Sequence, residues 1–123
     1  MHKIKIERTY EVDNQQIEDL LVTAFEGGIN YWCRKIKIKT YPESLENKNM
    51  AASDILAHDA VLTLYDAESS DKWDLTLDKF LSGLKKHLEN SEYPSMEALM
   101  DSYDANDADN IIQYALFNEQ VFA

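Results

Sequence analysis

Glu26-Gly27-Gly28-Ile29-Asn30-Tyr31-Trp32-Cys33-Arg34-Lys35 decides the reading of this chain, because the hydrophobic period changes across it from helical to alternating. Upstream, Asp13 or Asn14 opens a helix, Gln16 is placed to close a capping box on Asp13, and Ile17, Leu20, Leu21, Ala24 and Phe25 form an apolar stripe. Gly27 and Gly28 end that helix, and a glycine just past the last periodic residue is expected to take the left-handed conformation of a C-cap. Downstream, Trp32, Arg34, Ile36 and Ile38 alternate with Tyr31, Cys33, Lys35, Lys37 and Lys39, which predicts a strand to Thr40 with one strongly basic face. Asn30, Tyr31 and Trp32 therefore stand at a helix-to-strand corner.

Further out, Ile4, Ile6, Tyr10 and Val12 alternate with Lys3, Lys5, Glu7 and Thr9, the pattern of a half-buried strand. Arg8 falls on the apolar side, either at the end of a sheet or reaching a carboxylate or ligand. If this strand shares a sheet with 32–40, Lys3 and Lys5 join the later lysines. Such a face is either a solvated surface guarded by lysines or a platform for anions. Tyr41 to Asn49 reads as a polar surface loop, and Ser53 as the cap of a short helix through Ile55 and Leu56. Ala60 to Tyr65 and Trp73 to Leu77 form a hairpin, the first strand the more buried.

Leu77, Phe80, Leu81, Leu84 and Leu88 then lie at helical spacing, with Gly83 positioned for close packing against another element. Ser95 caps a helix carrying Met96, Leu99 and Met100, and a last helix begins within Asp104 to Asp107 and buries Ile111 and Ile112. The tail from Glu119 to Ala123 can add a short edge segment. One α+β domain over 1–123 is expected, with a small antiparallel or mixed sheet of about four strands and helices packed on one face. The first strand-helix-strand passage admits a right-handed parallel crossover.

With 45% apolar residues and a net charge of −11, the composition is that of a folded, acidic chain. Through Thr40 there are seven Lys/Arg against six acids; from Tyr41 onward, five Lys against seventeen acids. That layout disfavours duplex DNA, whose binding requires many cations on phosphates. It permits a local anion site in the first third or an acidic surface for a basic partner. The single cysteine, Cys33, cannot form an internal disulfide and fits a reducing compartment. No leader pattern and no apolar run of membrane-spanning length occurs, so a cytoplasmic protein is expected.

His2, His58 and His87 are widely separated and form no metal-ligand pair, and the acids around Asp104 lack the glycine and terminal glutamate of a calcium loop. Neither catalytic residues, a metal nor a cofactor is expected; a cysteine nucleophile requires the fold to bring a histidine to Cys33. The corner is the candidate binding site. Backbone amides at Gly27 and Gly28, the Asn30 amide and the Arg34 guanidinium suit an anionic or amide-bearing group, and Tyr31 and Trp32 suit a flat ring. The alternative is structural, with the glycines stopping a helix and Trp32 filling the core.

The segment Leu20-Leu21-Val22-Thr23-Ala24-Phe25-Glu26-Gly27-Gly28-Ile29-Asn30-Tyr31-Trp32 resembles the signature of a family of small uncharacterised phage, prophage and mobile-element proteins. The ending from Asp109 to Phe122 is similar to that family's C-terminus, departing from it at Asn118, Gln120 and Ala123. The resemblance implies an accessory protein acting against a host bacterial defence system. Two modes of action are expected from the residues: sequestration of a small nucleotide-like signal at Gly27, Gly28, Asn30, Tyr31, Trp32 and Arg34, or blockade by an acidic surface of a basic defence protein such as a CRISPR effector. Whether the chain forms a homo-oligomer stays open.

Overall fold

The computed structural model describes residues 1–4, 7–42 and 50–123 and has an α+β fold with one three-stranded antiparallel sheet. Helix α1 spans Asn14–Thr23. Its expected capping box is formed: the Gln16 amide donates to Asp13 Oδ1 at 2.8 Å and the Asp13 amide donates to Gln16 Oε1 at 3.0 Å. The helix then widens into a single π turn over Ala24–Gly28, closed by the Ile29 amide donating to the Ala24 carbonyl at 3.0 Å. A tight turn follows, with the Trp32 and Cys33 amides both donating to the Ile29 carbonyl.

Strand β1 is Cys33–Thr40, α2 is Ala52–Ile55 with a 3-10 turn over Leu56–His58, β2 is Val61–Asp66 and β3 is Lys72–Leu75. Three helices complete the chain: α3 at Leu77–Glu89, α4 at Met96–Ser102 and α5 at Ala105–Phe117. Thr76, Ser95 and Asp104 cap α3, α4 and α5 through their side-chain oxygens.

The strand order is β1-β2-β3. Register places Ile36, Leu64 and Trp73 in one row and Ile38, Leu62 and Leu75 in the next, and these residues meet the helices. The alternate rows, Lys35-Tyr65-Lys72 and Lys37-Thr63-Asp74, form the outer face. Between the sheet and helices lies a core that includes Leu20, Leu21, Ile29, Trp32, Phe80, Leu99 and Ile111. Helix α3 lies directly on α5 at Gly83, where an added Cβ would overlap the Ile111 carbonyl and the Ala115 backbone. The close approach expected of Gly83 is realised there.

Several expectations are corrected. Residues 7–12 form no strand; they run as an irregular segment over the helices, held by the Tyr10 hydroxyl donating to the Tyr93 carbonyl at 2.7 Å and Arg8 donating to the Pro94 carbonyl at 3.3 Å. Alternation reports one buried side, which Tyr10 and Val12 find against helices rather than on a sheet. Lys3 consequently lies outside the sheet, the sheet has three strands instead of about four, and no parallel crossover occurs among the described residues. Lys5 and most of the expected 41–49 loop fall outside the described residues.

Neither Gly27 nor Gly28 has a positive φ, so no left-handed glycine stops α1. The π turn does so, and Gly28 serves close approach, since a Cβ there would stand 2.9 Å from the Ala105 carbonyl oxygen. Ala51, not Ser53, occupies the cap of α2, with the Asp54 carboxylate accepting from the Ala51 amide at 3.3 Å. The tail adds no strand.

Candidate functional site

The corner residues divide between a closed polar latch and an open basic surface. Tyr31 and Trp32 leave the turn after α1 and reach α5. The Tyr31 hydroxyl donates to Asp109 Oδ2 at 2.5 Å, and the Trp32 indole N–H donates to Asp109 Oδ1 at 2.8 Å. One turn along α5, Gln113 Nε2 donates to Asp109 Oδ1 at 2.9 Å and to the Phe122 carbonyl at 3.1 Å. Gln113 Oε1 accepts from the Val121 and Phe122 amides at 2.7 and 2.8 Å, which fixes the orientation of the side-chain amide.

Gln113 is wholly buried and Asp109 nearly so, and every polar atom between them has a partner. Such a cluster is stable because no donor or acceptor is left without a bond away from water. Above it, the Phe122 ring stacks on the Trp32 indole with centroids 5.0 Å apart and planes at 3°, and Trp73 and Phe117 meet the pair edge-on. Burial, then the hydrogen bond to Asp109, pushes the Tyr31 phenol up to about 12.

This geometry reassigns much of the expected site. The indole face expected to stack on a ligand is taken by Phe122, and Trp32 is buried. Gly28 is buried against α5, so its backbone faces protein, while Gly27 and Asn30 are exposed. Tyr31 is engaged by Asp109 and Gln113. Asp109, Gln113 and Phe122 carry the latch and went unnoticed as partners of the corner; the signal available was only that the two segments of the resemblance, 20–32 and 109–122, each held residues of this cluster.

Arg34 opens the second surface. It is the extra residue of a β-bulge, because Cys33 pairs with Asp66 and Lys35 with Tyr65. Its Nε donates to the Asp66 carbonyl at 3.0 Å, which holds the guanidinium 5.4 Å from the centre of the Tyr65 ring. Lys35 Nζ lies 4.6 Å from the same ring. Lys37 and Lys72 flank Tyr65 and Thr63 in the outer rows, and Lys39 pairs with Asp74 at 2.6 Å. That contact, helped by Thr63, holds the Asp74 carboxyl below the usual carboxylate range.

Crowding acts on Lys35, whose ammonium is pushed below its ordinary value first by Lys37, then by slight desolvation and Arg34. Among the described residues neither Lys35, Lys37 nor Arg34 forms an ion pair with an acid. The basic face foreseen for this strand is present, but its aromatic member, Tyr65, was expected among buried positions.

Cys33 is buried, its thiol is pushed up by desolvation, and the groups acting on it are Asp66, Arg34 and backbone atoms of Lys35 and Tyr65, with no histidine among them. His87 is instead buried beside Asp107, Nε2 to Oδ1 at 2.8 Å, with the Tyr93 hydroxyl 3.2 Å from the same carboxylate. Among the described residues no group of three or more His, Cys, Asp or Glu is arranged to hold a metal, and no helix is long and apolar enough to cross a membrane. Two cavities, of about 860 and 430 Å³, lie along α3: one lined by Arg8, Tyr10, Leu84 and Met96, the other by Lys79, Ser82, Tyr114 and Phe117, beside the aromatic cluster of the latch. No protein family, curated protein or solved structure matches the chain.

Proposed function

We propose that this chain is a non-enzymatic accessory protein of a phage or mobile element that counters a bacterial defence system by sequestering a small anionic, nucleotide-like signal. The ligand site is placed on the outer sheet face at Arg34, Lys35, Lys37 and Tyr65, shifted from the corner with which Arg34 was first grouped. The observation that carries this reading is the crowding of cations around one aromatic ring in a chain of net charge −11. Like charges held together with no ion pair to an acid among the described residues raise the local potential, and an arriving phosphate relieves their repulsion. A base or other flat ring can stack on the Arg34 guanidinium or the Tyr65 edge. The anti-defence setting rests on the resemblance of 20–32 and 109–122. Amide and side-chain NMR shifts during titration with cyclic nucleotides test the placement; shifts should concentrate on Arg34, Lys35, Lys37 and Tyr65, and a saturable response elsewhere would move the site.

A second reading is favoured by a different observation. Helices α1, α2, α4 and α5 contain no Lys or Arg, and Glu18 on α1 has its carboxyl pushed up first by a hydrogen bond with Asp54 of α2. An acidic helical surface of this kind suits a basic defence protein. Salt-sensitive capture of a partner from host lysate, lost on Glu18→Lys/Asp54→Lys, supports this reading; salt-insensitive capture or none counts against it.

A further inference from the structure

The outer sheet face carries cations on both sides of one ring. In the row Lys35-Tyr65-Lys72, Tyr65 stands on the central strand with a lysine opposite it on each neighbour. The two lysines therefore leave backbones about 10 Å apart, with the phenol between them. Lys35 Nζ lies 4.6 Å from the centre of that ring and the Arg34 guanidinium 5.4 Å from it, so two cations gather on the β1 side. Lys72, exposed on β3, stands on the other side and takes no part in the site as Arg34, Lys35, Lys37 and Tyr65 define it.

The acids bordering this row are committed elsewhere. Asp74, two residues along β3, accepts from Lys39 Nζ at 2.6 Å and from the Thr63 hydroxyl at 2.9 Å. Asp66, at the end of β2, turns back on its own loop, where Oδ2 accepts from the Glu68 and Ser69 amides at 2.9 and 2.7 Å. Among the described residues Lys72 forms no ion pair, as is also true of Lys35 and Arg34. A lysine is a compact charge on a flexible stem, so lysines approaching from opposite strands can each meet a separate phosphate. A lone phosphate beside Tyr65 engages one side and leaves the other in water.

We propose that Lys72 forms a second phosphate subsite, so that the face selects ligands whose two phosphates are held apart by sugar, one phosphate at Arg34 and Lys35 and the other at Lys72. The class is that of a cyclic dinucleotide. A cyclic mononucleotide has one phosphate, and a nucleoside diphosphate has two adjacent ones that a single side of the ring can hold. This selectivity rests on the reading of the outer face as a nucleotide site. It arises because the second phosphate gains a charge-assisted contact after the first has already fixed the ligand, so the loss of translational freedom is not incurred twice.

Calorimetry of the wild-type chain and of Lys72→Gln tests this with the adenine and guanine members of three series: cyclic dinucleotides, cyclic mononucleotides and nucleoside diphosphates. Wild type should bind a cyclic dinucleotide about tenfold or more tightly than the cyclic mononucleotide and the diphosphate of the same base. Lys72→Gln removes one exposed charge and should fold as wild type does by circular dichroism. It should bring the cyclic dinucleotide to the affinity of the cyclic mononucleotide and leave the latter unchanged. Equal wild-type affinity for cyclic dinucleotide and cyclic mononucleotide, or for cyclic dinucleotide and diphosphate, overturns the second subsite. So does a dinucleotide preference that survives Lys72→Gln, or a variant that weakens all three series alike. In each of those cases ligand is still bound, and the nucleotide reading of the face stands. Absence of binding by every member removes both.

Discussion

At Gly27 and Gly28, adjacent residues of the same type have opposite requirements. A Cβ on Gly27 meets nothing within 4 Å, whereas one on Gly28 meets the Ala105 carbonyl oxygen at 2.9 Å, a backbone atom that cannot swing aside. Gly28→Ala is expected to destabilise by roughly 1–3 kcal/mol through the forced shift of α5. Gly27→Ala should be neutral or gain about 0.5 kcal/mol by restricting the unfolded chain. Urea unfolding of the two variants measures the contrast. Tyr31 supplies a pH signature. Its phenol is raised from 10.0 to about 12 in the folded chain, so between those values the folded form holds more protons than the unfolded one. The stabilisation is complete below pH 10 and is lost as pH climbs through 12. Alkaline unfolding followed by Trp fluorescence should show this loss, and Tyr31→Phe should remove that part of the pH dependence while lowering stability at neutral pH.

Among the elements, the pairing of α3 with α5 organises the helical layer, and Gly83 is its closest point. Gly83→Ala places a methyl group against the Ile111 carbonyl and the Ala115 backbone, so a loss of roughly 2–4 kcal/mol in thermal or urea unfolding is expected, larger than for Gly28→Ala. This contact was legible in the sequence because a glycine stood inside an otherwise apolar helical stripe. The cap of α1, the β2–β3 hairpin and the helices α3, α4 and α5 were legible for the same reason: their signals are local, a capping side chain or a period of 3.6 or 2. The segment 7–12 was not, since an alternating pattern reports burial of one side and is silent on whether a strand or a helix provides the cover. The latch was hidden for a related reason. Asp109 and Gln113 look like polar residues at the margin of α5 until the turn after α1 is known to deliver Tyr31 and Trp32 to them.

On the scale of the molecule, charge is segregated by layer. The outer sheet face carries Lys35, Lys37, Lys39 and Lys72 with Asp74 as the acid in its rows, while among the described helices α1, α2, α4 and α5 have no Lys or Arg and α3 carries Lys79, Lys85 and Lys86. The sequence already showed the division at Thr40, and the fold sharpens it, because β2 and β3 bring Tyr65 and Lys72 alongside the lysines of β1. The candidate site is correspondingly composite: Arg34 was recognised from its own neighbourhood, and Tyr65 joined it through strand register. The central claim is that this face binds a small anionic, nucleotide-like ligand. Calorimetry of the wild-type chain and of Lys35→Glu/Lys37→Glu with cyclic dinucleotides and cyclic ADP-ribose isomers tests it most directly. At least one ligand should give saturable heat with wild type, weakened by about tenfold or more in the double variant, a change of ~1.4 kcal/mol or more. Absence of heat with every ligand, or equal binding by the charge-reversed chain, would contradict the account.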